Sequence, residues 1–150
     1  MDQEFSRSRD DQIRLFKKLC RENGVRITPQ RLEIFLALLD RHDHPSAEDV
    51  FESVKVRLPT ISLDTVYRTL GTFESHGLVL KLNLFDDKTR YDPNMHQHHH
   101  VVCTRCRNIM DFDWPDFDEA MLPSGTRRWG NVEIRQVQLR GICSDCLADG

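Results

Sequence analysis

Residues 62–92, SLDTVYRTLGTFESHGLVLKLNLFDDKTRYD, change their apolar period half-way along, and that change decides the fold. From Ser62 the apolar residues Leu63, Val66, Leu70 and Phe73 recur at helical spacing, with Ser62 placed to cap the start and Gly77 at a C′-like position. Beyond Gly77 the pattern becomes extended: LVLKLNLF, then Asp86-Asp87-Lys88 as turn chemistry, then TRYD. This reads as a β-hairpin. A helix followed at once by a two-stranded ribbon is the closing part of a winged helix-turn-helix, with the ribbon as the wing.

The preceding residues supply the other helices such a motif needs. Asp10–Glu22 places Ile13, Phe16, Leu19 and Cys20 on one face and stops at Asn23-Gly24. Thr28-Pro29 is an N-cap followed by proline at the first helical position, and Leu32, Phe35, Leu36 and Leu39 form the stripe of a second helix reaching Asp40. Ser46 and Asp49 read as a capping box for a third, through Val50, Phe51 and Val54 and ending before Pro59.

On the other side, Asp92-Pro93-Asn94 breaks the pattern. HHHVVC and NIMDF read as strands joined across TRCR, PDFDEAM as one short helix ended by Pro123, Ser124 and Gly125, and VEIRQVQL as a third strand with a bulge near Gln136. The fold class expected is α+β: a winged helix-turn-helix domain over residues 1–91, a hinge at 92–95, and a small α/β domain over 96–150 built around a four-cysteine zinc site.

Composition bounds the function. In 150 residues, 39% hydrophobic and 30% charged side chains suffice for a modest core and do not describe a disordered tail. No apolar run reaches the roughly 18 residues of a membrane span, and MDQEFSRSRDDQ is too polar for a secretory segment, so a cytoplasmic protein with no membrane partner is expected. The net charge of −3 excludes a globally basic nucleic-acid coat but not a locally basic reading face. Residues 1–90 carry 15 basic and 15 acidic side chains, whereas residues 91–150 carry 6 and 9.

The acidic part also holds the metal chemistry. Cys103-Thr104-Arg105-Cys106 and Cys143-Ser144-Asp145-Cys146 are two C-x-x-C units, the donor set of a structural Zn(II) site. Two redox dithiols or unrelated core cysteines are the alternatives; Cys20, alone on a helix face, reads as a packed hydrophobe. Side-chain alternation then suggests a second site. On a strand His98 and His100 share one face while Cys103 faces the other, so one strand can serve two metals. Asp111 on the returning strand could join the histidines, and Asp92 lies six residues ahead of His98. Imidazole with carboxylate suits Fe(II), Mn(II) or Zn(II). A solvated histidine patch is the other reading.

Taken together, GVRITPQR (24–31), HPSAEDVF (44–51), SLDTVYRTL (62–70) with GLV (77–79), TRYD (89–92), H-x-H-x-x-C-x-x-C (98–106) and the final C-x-x-C make a chain that resembles the ferric uptake regulator (Fur) family of metal-dependent bacterial repressors over nearly its whole length. It looks most like the peroxide-sensing PerR branch, because Asp92 and Asp111 stand where iron sensors more often carry Glu. The resemblance implies a regulatory site of His44, Asp92, His98, His100 and Asp111 that clamps the two domains and holds Fe(II) or Mn(II), with Zn(II) possible in vitro. It implies oxidation of His44 or His98 when the iron form meets peroxide, and DNA contacts from Arg26, Ser62, Thr65, Tyr67 and Arg68. The implied partners are a pseudo-palindromic double-stranded operator and a second copy of the chain, held through the C-terminal sheet.

Three departures and three rival readings follow. RQVQLRGIC lacks the histidine that completes an additional metal site in many members, Arg107 stands where glycine is usual and could alter that turn, and His96 and His99 are extra imidazoles that could recruit zinc but are expected to sit in water. The rivals are an iron- or zinc-availability sensor of the same family, a small zinc hydrolase and a zinc-stapled interaction module. The hydrolase lacks an H-E-x-x-H helix and a deaminase signature.

Overall fold

The computed structural model describes residues 8–84 and 88–150, which form two compact units, one ending at Met95 and one spanning His96–Gly150. The hairpin turn residues Asp86 and Asp87 lie outside the described residues. Among the described residues no helix is long and apolar enough to cross a membrane.

The first unit contains α1 (Arg9–Glu22), α2 (Pro29–Asp40), α3 (Ala47–Val54), α4 (Leu63–Ser75), β1 (Leu80–Leu82) and β2 (Arg90–Asp92). Its helices start where hydroxyl side chains satisfy free N–H groups. The hydroxyls of Ser8, Thr28, Ser46 and Ser62 accept from the backbone N–H three residues on, and Ser46 with Asp49 completes a reciprocal capping box. Two helices end in Schellman turns, with Gly24 at φ +68° and Gly77 at φ +69°. The Leu78 N–H reaches the Phe73 carbonyl at 2.8 Å, and the Val25 N–H reaches that of Cys20 at 2.8 Å. Phe16, Phe35 and Phe73 meet in the core: Phe16 stacks on Phe35 with centroids 3.8 Å apart, and Phe73 stands edge-on to both. Cys20 belongs to this core. β1 and β2 pair antiparallel, Leu80 opposite Asp92 and Leu82 opposite Arg90, making the expected ribbon.

The second unit holds β3 (His99–Cys103), β4 (Ile109–Phe112), α5 (Pro115–Glu119), α6 (Ser124–Trp129), β5 (Gln138–Gly141) and α7 (Ser144–Ala148). Its sheet order is β4-β3-β5, with β3 antiparallel to β4 and parallel to β5. Two expectations are corrected. Pro123-Ser124-Gly125 does not merely end a helix: it opens α6, whose first turn is tied by the Thr126 hydroxyl and N–H to the Pro123 carbonyl at 2.7 and 3.0 Å. The third strand does not cover Val132–Leu139 but begins at Gln138. A strand requires a hydrogen-bonding neighbour, and β3 offers one opposite Gln138–Gly141, the ladder opening where the His100 N–H donates to the Val137 carbonyl; among the described residues no strand pairs with 132–136, and Ile134 remains 69% exposed.

Candidate metal centres

The β3–β4 turn is built around the first cysteine pair. The Cys103 N–H donates to the Asn108 carbonyl and the Arg107 N–H to the Cys103 carbonyl, each at 2.9 Å. Arg107 takes φ +66°, the left-handed conformation that glycine adopts at least cost, so arginine is held here under strain. The second pair arrives at the end of β5 and the start of α7, and the four cysteine sulfurs all lie within 4.8 Å of one another. Cys103 and Cys146 sulfurs are 3.8 Å apart, and those of Cys106 and Cys143 3.7 Å. Zn–S bonds of about 2.3 Å at tetrahedral angles require sulfurs roughly 3.8 Å apart, so these residues fit zinc.

The protonation chemistry agrees. Backbone N–H groups of Cys106 and Cys143 draw the Cys103 thiol down to about 6. The hydrogen bond with Cys143, and then burial, push the Cys146 thiol up to about 12. One thiolate forms readily and the next resists, because four sulfurs this close hold four charges only around a cation.

The other face of β3 carries a different donor set. His100 is directly opposite Asp111 across the β3–β4 pair, with Nε2 3.3 Å from Oδ1, and His98 Nε2 lies 3.7 Å from the other oxygen of the same carboxylate. The His98 Nδ1–H donates to the His96 carbonyl at 2.5 Å, which leaves Nε2 as its ligand atom. The first unit holds a second imidazole–carboxylate pair: His44 Nε2 is 3.4 Å from Asp92 Oδ2, both residues buried. His44 sits between α2 and α3 at φ +54°, and Asp92 ends β2. Imidazole and carboxylate groups of this kind, all buried except Asp111, match the donor preferences of Fe(II) and Mn(II).

His99 corrects an expectation. It is not in water but fully buried, and it is occupied: Nδ1 accepts from the Val137 N–H at 2.9 Å, so Nε2–H donates to Asp118 Oδ1 at 2.7 Å. Gln97 donates to the same Asp118 oxygen, and Arg135 donates to the carbonyls of Phe117 and Ala120. This polar cluster fastens α5 and the chain before β5 to β3. Sequence reading missed it because its partners are 19 and 38 residues away; the acidic side chain in PDFDE was the available signal. His96 is half-buried. Replacing His99 by alanine removes the acceptor of a buried N–H, and is expected to cost about 2–4 kcal/mol. A thermal unfolding midpoint equal to that of the unaltered protein would refute this.

The residues expected at DNA lie on the first unit. α4 buries Val66, Thr69, Leu70 and Phe73 and leaves Tyr67 and Arg68 exposed. The Tyr67 hydroxyl donates to Glu48 of α3, and Arg68 pairs with Asp64 at 2.8 Å. Ser62 caps the helix by accepting from the Thr65 N–H, and the hydroxyls of the two residues bond at 2.9 Å. Arg26 is exposed ahead of α2, and its carbonyl accepts from Arg31.

The sequence profile of the ferric uptake regulator family matches residues 22–139. The chain belongs to the ferric uptake regulator family. Members of this family are transcriptional regulators, which sets the zinc hydrolase aside. Among relatives within the Fur family, the chain is 35% identical over 130 residues to the peroxide-responsive repressor PerR of Staphylococcus epidermidis, covering 87% of each. It is 37% identical over 126 residues to PerR of Staphylococcus saprophyticus, covering 84% of this chain and 85% of the relative. Of solved structures, the Campylobacter jejuni peroxide stress regulator matches with a TM-score of 0.66 at 30% identity, over 89% of this chain and 98% of that one. The Helicobacter pylori ferric uptake regulator shares the fold, with a TM-score of 0.73 at 21% identity over 92% and 93% of the two chains.

Proposed function

We propose that this Fur-family protein is a metal-dependent repressor that binds operator DNA as a homodimer in the cytoplasm and releases it when peroxide oxidises a regulatory ligand. The observation that carries the reading is the placement of His98, His100 and Asp111 on the face of β3 opposite to Cys103, together with a separate buried His44–Asp92 pair in the other unit. In this proposal Zn(II) sits among the four cysteines, and all five imidazole and carboxylate residues hold one Fe(II) or Mn(II). Ligands drawn from both units make metal binding favour one arrangement of the two, and such couplings are typically about 1–3 kcal/mol. A ferrous ion held there would supply the chemistry that activates peroxide, and the imidazole of His44 or His98 would gain one oxygen atom from hydrogen peroxide, the other leaving as water.

DNA is read by α4, with Tyr67 and Arg68 exposed for bases and phosphates once Arg68 exchanges Asp64 for a phosphate, and with Ser62, Thr65 and Arg26 beside the backbone. A second copy covers the exposed apolar residues Ile134 and Leu139 of the second unit, and the resulting two-fold symmetry matches a pseudo-palindromic operator. The similarity to PerR proteins of two staphylococci supports the peroxide branch over a sensor of iron or zinc availability.

The test uses operator duplexes selected from random DNA with the Mn(II)-loaded protein. Binding is expected with Mn(II) and with Fe(II), and dilute peroxide is expected to abolish it only in the Fe(II) form, with one added oxygen on His44 or His98 by mass. Fe(II)-dependent binding that survives peroxide without added oxygen would leave the metal-availability sensor instead.

A further inference from the structure

We infer that Arg90 is a positioning residue for the ligands of the first unit, aligning His44 with Asp92 before any ion arrives; the inference rests on the regulatory site proposed above.

The starting point is the backbone of His44. At φ +54° it occupies a left-handed conformation that is unfavourable for a non-glycine residue, so the surrounding structure must hold it. Three consecutive carbonyls of that loop are tied to β2. Arg90 Nη1 donates to the carbonyls of Asp43 and His44 at 3.4 and 3.3 Å, and the Tyr91 N–H donates to that of Pro45 at 2.9 Å. The next residue along β2 is Asp92, whose Oδ2 faces His44 Nε2. One short strand therefore grips the loop with two residues and presents the carboxylate with the third.

The geometry of the grip is specific. In extended backbone, successive carbonyls point to opposite sides and a single nitrogen cannot reach two of them. A left-handed turn at His44 brings the carbonyls of Asp43 and His44 to the same side, where one Nη group takes both. The strained φ and the arginine are thus matched: the guanidinium supplies the interaction that the strain requires. Arg41 secures the same loop from its N-terminal side, donating to both carboxylate oxygens of Asp43 at 3.1 and 2.8 Å. An ion that finds His44 already aligned loses less freedom on binding than one that must first order the loop.

The test is Arg90→Met, which keeps the bulk of the stem and removes the donors. Mn(II) affinity of the zinc-loaded full-length protein is expected to fall roughly 10- to 100-fold, the usual effect of removing a group that orients a ligand. Helical circular dichroism and zinc content should be unchanged, and without Mn(II) amide exchange over residues 43–46 should accelerate. Because Arg90 acts through His44, R90M added to H44A should lower affinity no further than H44A alone; a purely structural arginine would give additive losses. Wild-type Mn(II) affinity in R90M, or additive losses, would overturn the inference. Should R90M not fold, R90K decides: its point charge reaches one carbonyl, so a loss of threefold or more supports the role and wild-type affinity overturns it. The underlying site is judged separately, since H44A retaining full Mn(II) affinity would sink that reading, whereas H44A losing it while R90M does not would sink only Arg90.

Discussion

Chelating the zinc proposed to sit among Cys103, Cys106, Cys143 and Cys146 is expected to unfold the second unit while the first stays helical. The reason is the size of the two cores. The first unit packs a cluster that includes three phenylalanines, Ile34, Leu38, Val50, Val66 and Leu70. In the second, the buried apolar side chains are Val102, Ile109 and two of the cysteines themselves. So small a core does not offset the entropy of ordering the chain without a staple. Zinc in such a site contributes about 10–16 kcal/mol in isolated zinc-finger peptides, more than the whole stability of a typical domain. Both tryptophans, Trp114 and Trp129, lie in this unit, so their fluorescence reports on it alone. Trp129 is 80% exposed already, so the change should come from Trp114, which stacks on Phe117; its emission should shift toward that of solvated indole on chelation, amide protection across β3 should be lost, and Cys106→Ser or Cys143→Ser should reproduce both effects. Unchanged amide protection across β3 in metal-free protein would mean that the sulfur cluster is dispensable for folding.

Asp111→Ala is the substitution with the largest expected effect on sensing. Asp111 touches both His98 and His100 and stands directly across from His100 in the sheet, so in the proposed regulatory site its loss removes a ligand and the partner of two imidazoles together. Regulatory Mn(II) affinity should fall by about 100-fold or more, beyond what removing an outer-shell partner costs. Metal-stimulated operator binding should disappear with it. Zinc content should not change, because Val102 still pairs with Ile109 and the cysteine turn lies beyond them. Asp111→Glu keeps the carboxylate and should retain most of the affinity. Titration with Mn(II) followed by electron paramagnetic resonance gives the answer; a D111A protein that binds Mn(II) as the wild type does would remove Asp111 from the ligand set.

How much of this was legible in the sequence depends on the range of the interactions. Helix starts were readable because a cap and its target are three residues apart, as Ser46 and Asp49 show. The opposite facing of His100 and Cys103 was readable because alternation is a property of a single strand. What failed was non-local. Val132–Arg135 alternate as a strand should, but among the described residues no strand pairs with them; the first tie to β3 is the Val137 carbonyl, which accepts from the His100 N–H. His99 looked like a surplus imidazole, and only the folded chain brings Asp118 and the Val137 N–H to its two nitrogens. Tyr67 was readable as an exposed side chain of α4, but not its bond to Glu48, which comes from another helix.

The double use of β3 has an evolutionary corollary. A single inserted or deleted residue between His98 and Cys103 would reverse the facing of one ligand set relative to the other, and no compensating point change could restore both. Residues 121–134 are under no such restriction, since the ties to β3 and α5 are made by Asp118, Ala120, Arg135 and Val137 on either side of them. Length variation among descendants of this gene should therefore accumulate in residues 121–134 and be absent from 98–106.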